Sequence, residues 1–129
     1  MKNNKLTIQI NKPVEEVFAF TINPKNTPKW IDGIEAEETN EWPVKLGTIY
    51  RNHGQDSDWS EYEMTEFNEN EMFVMSKKDG SYSVRYSMKP IDDHTTEFEY
   101  HEWEEKGELK DLFTMAVMEK LKRIMETTE

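Results

Sequence analysis

Between Thr48 and Trp103 large apolar side chains fall on every second position in one stretch after another, and this two-fold beat is the strongest constraint on the fold. Tyr62 and Met64 alternate with Glu61 and Glu63. Tyr82, Val84, Tyr86 and Met88 alternate with Ser83, Arg85 and Ser87, and Phe98 and Tyr100 with Glu97 and Glu99. Successive strand side chains point to opposite faces, so each stretch makes a half-buried strand with one apolar face. The pattern predicts strands over 48–53, 59–67, 71–76, 81–89 and 95–103, with a polar edge strand over 34–39. The separators 54–58, 68–70, 78–80 and 90–94 are rich in turn residues, and Asp79-Gly80 is a hairpin signal. Short connections join antiparallel neighbours, so these strands form a meander.

The flanks follow a different period. Leu6, Ile8 and Ile10 alternate and predict an opening strand over 5–11. Pro13 suits the first turn of a helix, with Glu15 and Glu16 near its positive end and Asn23-Pro24 ending it. Thr27-Pro28 opens a second short helix through Trp30 that stops by Gly33. Gly107 breaks the last strand, and 108–126 reads as one long helix. Leu109, Leu112, Phe113, Ala116, Val117, Leu121 and Ile124 share a broad face at about 100° per residue. Strand, two short helices, meander and terminal helix make an α+β architecture. With no repeat or composition break, one domain is expected over residues 1–129.

Charge excludes one class of partner. The 129 residues carry 16 Lys+Arg against 27 Asp+Glu, a net −11 at pH 7, and no basic cluster suited to phosphates, so no nucleic acid is expected. Without cysteine there is no disulfide frame and no thiolate site. No apolar run approaches the roughly 20 residues of a membrane span, and no signal-peptide core follows Lys2 and Lys5, which points to a cytoplasmic protein. His101-Glu102-Trp103-Glu104-Glu105 lacks the second histidine of a zinc-binding helix motif and lies in a strand. His53 to Asp58 and Asp92-Asp93-His94 read as solvated turns. No metal and no cofactor is therefore expected. Paired acids such as Glu15-Glu16, Glu37-Glu38 and Glu104-Glu105 read as solvated faces in so acidic a chain.

Three segments carry a family resemblance. Ile10-Asn11-Lys12-Pro13-Val14-Glu15-Glu16-Val17-Phe18, Asn23-Pro24-Lys25-Asn26-Thr27-Pro28-Lys29-Trp30 and Leu46-Gly47-Thr48-Ile49-Tyr50-Arg51 resemble the opening strand and helix, second helix and third strand of the START/Bet v 1-like (SRPBCC) superfamily. The branch is that of polyketide cyclase/dehydrase and lipid-transport-like proteins. The resemblance implies a helix-grip fold, in which a curved antiparallel sheet of about six to seven strands wraps a long C-terminal helix and leaves an apolar cavity. It implies binding of sterols, lipids, hormones or polyketides, with catalysis in a minority and no shared catalytic motif.

Parity puts Tyr62, Tyr82, Tyr86 and Tyr100 on one face, toward the helix. Buried tyrosines need hydroxyl partners, so this face is either a cavity for a ligand with polar edges or a packed core whose hydroxyls reach its rim. Phe113 and Val117 face it from the helix, and Trp30 is either a lid or a staple at its end. Lys120 falls in the middle of the apolar face and either snorkels to water or reaches the cavity to meet an acidic group. Met118, Leu121 and Met125 fall away from that face and make either a homodimer seam or scattered surface apolars. Parity does not settle the direction of Tyr50, Trp59 or Trp103. The reading is binding of a small hydrophobic or amphipathic molecule (lipid, polyketide-like or aromatic). The alternatives are a cyclase/dehydratase-type enzyme using the same cavity and a chaperone-ATPase-activator-like interaction domain.

Overall fold

A computed structural model describes residues 2–109 and 112–127. The elements are β1 (Lys2–Ile10), α1 (Val14–Ile22), α2 (Thr27–Trp30), β2 (Ala36–Thr39), β3 (Ile49–His53), β4 (Ser60–Asn68), β5 (Met72–Lys77), β6 (Tyr82–Asp92), β7 (Thr95–Glu104) and α3 (Met115–Thr127). The strands form one antiparallel sheet in the order β1-β7-β6-β5-β4-β3-β2, so the meander is continuous and the opening strand closes it from the far edge. This curved sheet with helices on one face is the helix-grip fold.

Register explains the sheet's inner face. Leu6, Ile8 and Ile10 pair with Tyr100, Phe98 and Thr96, and Tyr100 and Phe98 pair in turn with Tyr86 and Met88 on β6. Side chains directly opposite in a ladder share a face, so these residues form one continuous inward surface. β4 shifts register between Met64 and Glu66. The bulge bends the strand, and it returns Phe67 to the inner face, where its ring meets Phe18 edge-on at 5.9 Å. The Asp79-Gly80 turn closes the β5–β6 hairpin, with Gly80 at φ +76 and its N–H donating to the Lys77 carbonyl. No β-branched residue would take that conformation without strain.

α1 starts as its sequence dictates. Pro13 is extended, and its carbonyl accepts the N–H groups of Glu16 and Val17. Val17, Phe18, Thr21 and Ile22 are buried against the sheet, and Asn23 turns extended before Pro24. α2 is a single turn that drives Trp30 into the core at 1% exposure.

The terminal helix differs from its expected form. Residues 108, 109 and 112–114 are irregular, the helix begins at Met115, and Lys110 and Asp111 of the expected helix lie outside the described residues. Tertiary contacts outcompete helix propensity here. The Phe113 N–H donates to Glu102 Oε2 at 2.9 Å, its carbonyl accepts from Asn4 Nδ2 at 3.0 Å, and its ring stacks on Tyr100 with centroids 3.7 Å apart. Without the first turns, the buried face of the helix is Met118, Leu121 and Met125, each at most 5% exposed, while Ala116 and Leu112 are exposed. The expected homodimer seam through Met118, Leu121 and Met125 is thereby corrected. Those residues sit at i, i+3 and i+7 and fill the core, where each contributes roughly 1.5–3 kcal/mol of burial. Among the described residues no helix is long and apolar enough to cross a membrane.

Candidate functional site

The inner face of the sheet is not filled throughout. A cavity of about 220 Å³ lies between β4–β7 and the segments that follow α1 and β7. The sheet supplies Tyr62, Met75, Tyr82, Val84, Tyr86, Tyr100 and Glu102. The α2 turn and its sequel supply Thr27, Ile31 and Ile34, β2 and β3 supply Glu37 and Asn52, and the irregular segment supplies Phe113. An apolar lining with a few convergent polar groups is the ordinary composition of a small-molecule site.

All four tyrosines named from parity therefore meet at one cavity, together with Phe113. The rest of the expected set lies elsewhere. Trp30 packs edge-on to Tyr86, Phe98 and Phe113 in the core and does not line the cavity, and its buried Nε1 lacks a hydrogen-bond partner among the described residues. Val117 is half-buried against the core, outside the lining. Lys120 is carried outward to an ion pair with Asp32, whose side chain is 78% exposed. Snorkelling, not a pocket cation, is what the structure shows for this lysine. Of the three unassigned rings, Tyr50 is buried and donates to the Ile22 carbonyl at 2.6 Å. Trp59 is exposed, with the Arg51 guanidinium 4.4 Å above its ring. Trp103 lies beside His101 on the face opposite Tyr100, in an unbroken β1–β7 ladder that needs no bulge.

Two carboxylates in the lining were not expected from the sequence. Glu102 is 3% exposed. Its Oε1 accepts from the Tyr82 hydroxyl at 2.7 Å, and its Oε2 accepts from Asn4 Nδ2 and the Phe113 N–H, each at 2.9 Å. Its position was legible: residues 98, 100 and 102 share parity, so an acid continues an apolar row. Glu37 stands on the opposite edge strand, accepting from the Thr27 hydroxyl at 2.6 Å and Asn52 Nδ2 at 3.0 Å. Burial raises its pKa above the ordinary glutamate value, and the two hydrogen bonds oppose the rise. The short polar strand β2 carries no pattern that marks this residue in advance.

The tyrosine row lies between these acids. Burial, with the negative charge of Glu37 and Glu102 nearby, pushes Tyr86 well above the ordinary phenol value, and burial does the same to Tyr100. Burial likewise raises Tyr62 and Tyr82. All four stay neutral phenols, able to donate a hydrogen bond and unsuited to act as phenolate nucleophiles. The hydroxyl pairs differ. Tyr82 and Tyr100 approach each other at 3.5 Å beside Glu102, whereas the Tyr62 and Tyr86 hydroxyls have no partner among the described residues. Tyr62 and Tyr82 also line an outer depression with Lys77, Glu104 and Lys106, so these two rings, edge-on at 6.4 Å, separate the cavity from the surface. No group of three or more metal-ligating side chains is assembled among the described residues.

A helix-grip domain with a polar-edged hollow under its sheet belongs to a recognisable class. The family model for polyketide cyclase/dehydrase and lipid transport matches residues 1–128, and the chain belongs to that family. No curated protein matches the sequence. Among solved structures, a Deinococcus radiodurans protein is 14% identical with a TM-score of 0.74 over 98% of each chain. A Mesorhizobium loti protein is 12% identical with a TM-score of 0.73 over 99% of each. The Aha1 dimer of Colwellia psychrerythraea is 11% identical with a TM-score of 0.66, over 98% of this chain and 93% of that one. At such identities the likeness is one of fold.

Proposed function

We propose that this protein binds a small molecule with an apolar or aromatic body and a hydrogen-bonding edge in the cavity beneath β4–β7. The observation that carries the reading is Tyr86, which is 5% exposed, lines the cavity and has a hydroxyl with no partner among the described residues. The ring is buried while the hydroxyl is left open to the cavity, where a ligand atom or an ordered water can take up its hydrogen bond. Size narrows the class. An apolar cavity of about 150 Å³ suffices for benzene, so 220 Å³ suits one ring with a short substituent better than a long acyl chain. The family description, polyketide cyclase/dehydrase and lipid transport, supports the general activity of binding apolar molecules.

Titration of 4-ethylphenol into isotopically labelled protein tests this by NMR. Saturable one-to-one shifts are expected, centred on the strands that carry the tyrosines. Phe113→Trp keeps the backbone N–H that Glu102 holds while filling the cavity, and it should weaken the binding at least tenfold. Shifts that do not saturate, or that are indifferent to Phe113→Trp, would refute the reading.

The cyclase/dehydratase alternative has one specific observation in its favour: Glu37, an acid with raised proton affinity, shares the cavity with the Tyr86 hydroxyl. Such a pair could pass a proton to a bound carbonyl that Tyr86 polarises. Turnover of a β-hydroxycarbonyl compound that Glu37→Gln abolishes, without weakening its binding, would select this alternative. An interaction domain of the chaperone-ATPase-activator kind has less support, since the tyrosine face is hollow and not a solid core.

A further inference from the structure

The cavity is unbalanced in charge. Glu37 and Glu102 line it, and among the described residues no lysine, arginine or histidine does. Every hydrogen-bond donor to either acid is neutral: a hydroxyl and an amide on Glu37, and an amide, a phenol and a backbone N–H on Glu102. The ion pairs among the described residues engage other acids, and Lys120 is engaged by Asp32. Carboxylates withdrawn from water need a counter-charge, or they hold a proton.

Acceptor capacity points the same way. Each carboxylate oxygen offers two lone pairs, so Glu37, with one donor on each oxygen, keeps an open position on both. The Tyr86 hydroxyl, without a partner among the described residues, offers another acceptor on the wall between the two acids. The rings of Tyr62 and Phe113 complete a lining whose π faces attract cations and do not favour anions. The outer face of the protein, at net −11, adds a long-range field of the same sign.

We infer that the ligand is a small organic cation, an amine carried on a single ring, whose ammonium donates to Glu37 and the Tyr86 hydroxyl while its ring lies among the tyrosines. This rests on the binding reading above and names its ligand class. Shape-matched probes separate the two claims: phenethylamine, 2-phenylethanol and 3-phenylpropanoate share a ring and differ in charge. By calorimetry at low salt, phenethylamine should bind at least tenfold more tightly than 2-phenylethanol, and 3-phenylpropanoate should show no saturable binding. Glu37→Gln should bring the amine to within about twofold of the alcohol measured on the same variant. A readout on the unaltered protein guards against a variant that fails to fold. Rising NaCl should weaken the amine and not the alcohol, because salt screens the one interaction and not the other. If the alcohol or the acid binds as tightly as the amine, the cation inference is overturned while the cavity reading stands. If none of the three probes, nor 4-ethylphenol, binds saturably, both fall.

Discussion

The two ends of the sheet's inner face are built from the same strands and come out differently. At one end Ile10, Phe73, Met88 and Phe98 join Val17 and Phe18 of α1 in one buried cluster; Phe18 lies edge-on to Phe73 with centroids 5.7 Å apart. At the other, further along β6 and β7, Tyr82, Tyr100 and Glu102, with Tyr62 of β4, surround a hollow. Hydrocarbon can be packed to any depth because it asks nothing of its neighbours but contact. Hydroxyls and carboxylates need partners, and the described residues provide them for Tyr82, Tyr100 and Glu102 but not for Tyr62 and Tyr86. One end holds the fold, and the other gives up part of that stability to the proposed binding surface.

The sharpest way to break this division is to weaken the filled end. Phe98 is fully buried and touches both Trp30 and Tyr86. Phe98→Ala should cost about 3–5 kcal/mol in urea unfolding, and a loss under about 1 kcal/mol would show that this end is not close-packed. Next in size is Glu102→Leu, which strands the Asn4 amide, the Tyr82 hydroxyl and the Phe113 N–H. It should cost about 3 kcal/mol and loosen the residue 112–114 segment, visible as faster amide exchange at Phe113.

Glu37 gives a smaller effect with a definite sign. Its folded pKa is raised above the ordinary 4.5, so the folded state holds its proton more tightly than the unfolded chain does. Its contribution to stability is complete below that ordinary value and is lost as pH rises through the folded pKa. The melting temperature of the parent should therefore fall relative to Glu37→Gln between about pH 4 and pH 8. A difference that is flat or of opposite slope would mean that Glu37 is already charge-compensated.

These expectations also mark what could be read from the residues alone. Alternation placed every strand and all four cavity tyrosines, because parity is a local property that burial on one face enforces. Glu102 obeyed the same parity, yet its charge type grouped it with the solvated acids around it. The start of α3 was hidden for another reason. Residues 108–114 have helical periodicity, but contacts from Asn4, 109 positions away, and from Tyr100 and Glu102 on β7 hold Phe113 in an irregular segment. That mistake rotated the assigned helix face and moved Met118, Leu121 and Met125 from the core to an imagined surface.

The two smallest effects sharpen the contrast from the other side. Lys120→Met removes an ion pair at the surface, with 34% of the lysine side chain exposed, and should change stability by less than about 1 kcal/mol. A larger loss would place the ammonium in a buried role. Tyr86→Phe deletes a hydroxyl that has no intramolecular partner among the described residues, and should leave the ligand-free protein as stable or slightly more so. A clear destabilisation would mean that this hydroxyl is already satisfied.

Strand β1 pairs with the last strand of the meander, Lys2 opposite Glu104. The contact from Asn4 to the Phe113 carbonyl spans 109 positions. Such pairings are slow, because the long loop between them must close before any contact compensates its lost entropy. The nascent chain can build the hairpins from β3 to β6 as they emerge, but β1 has to wait. The hollow end, which takes Glu102 from β7, Asn4 from β1 and Phe113 from beyond both, is completed last, so a chain halted before residue 113 has all its strands and lacks one wall of the cavity.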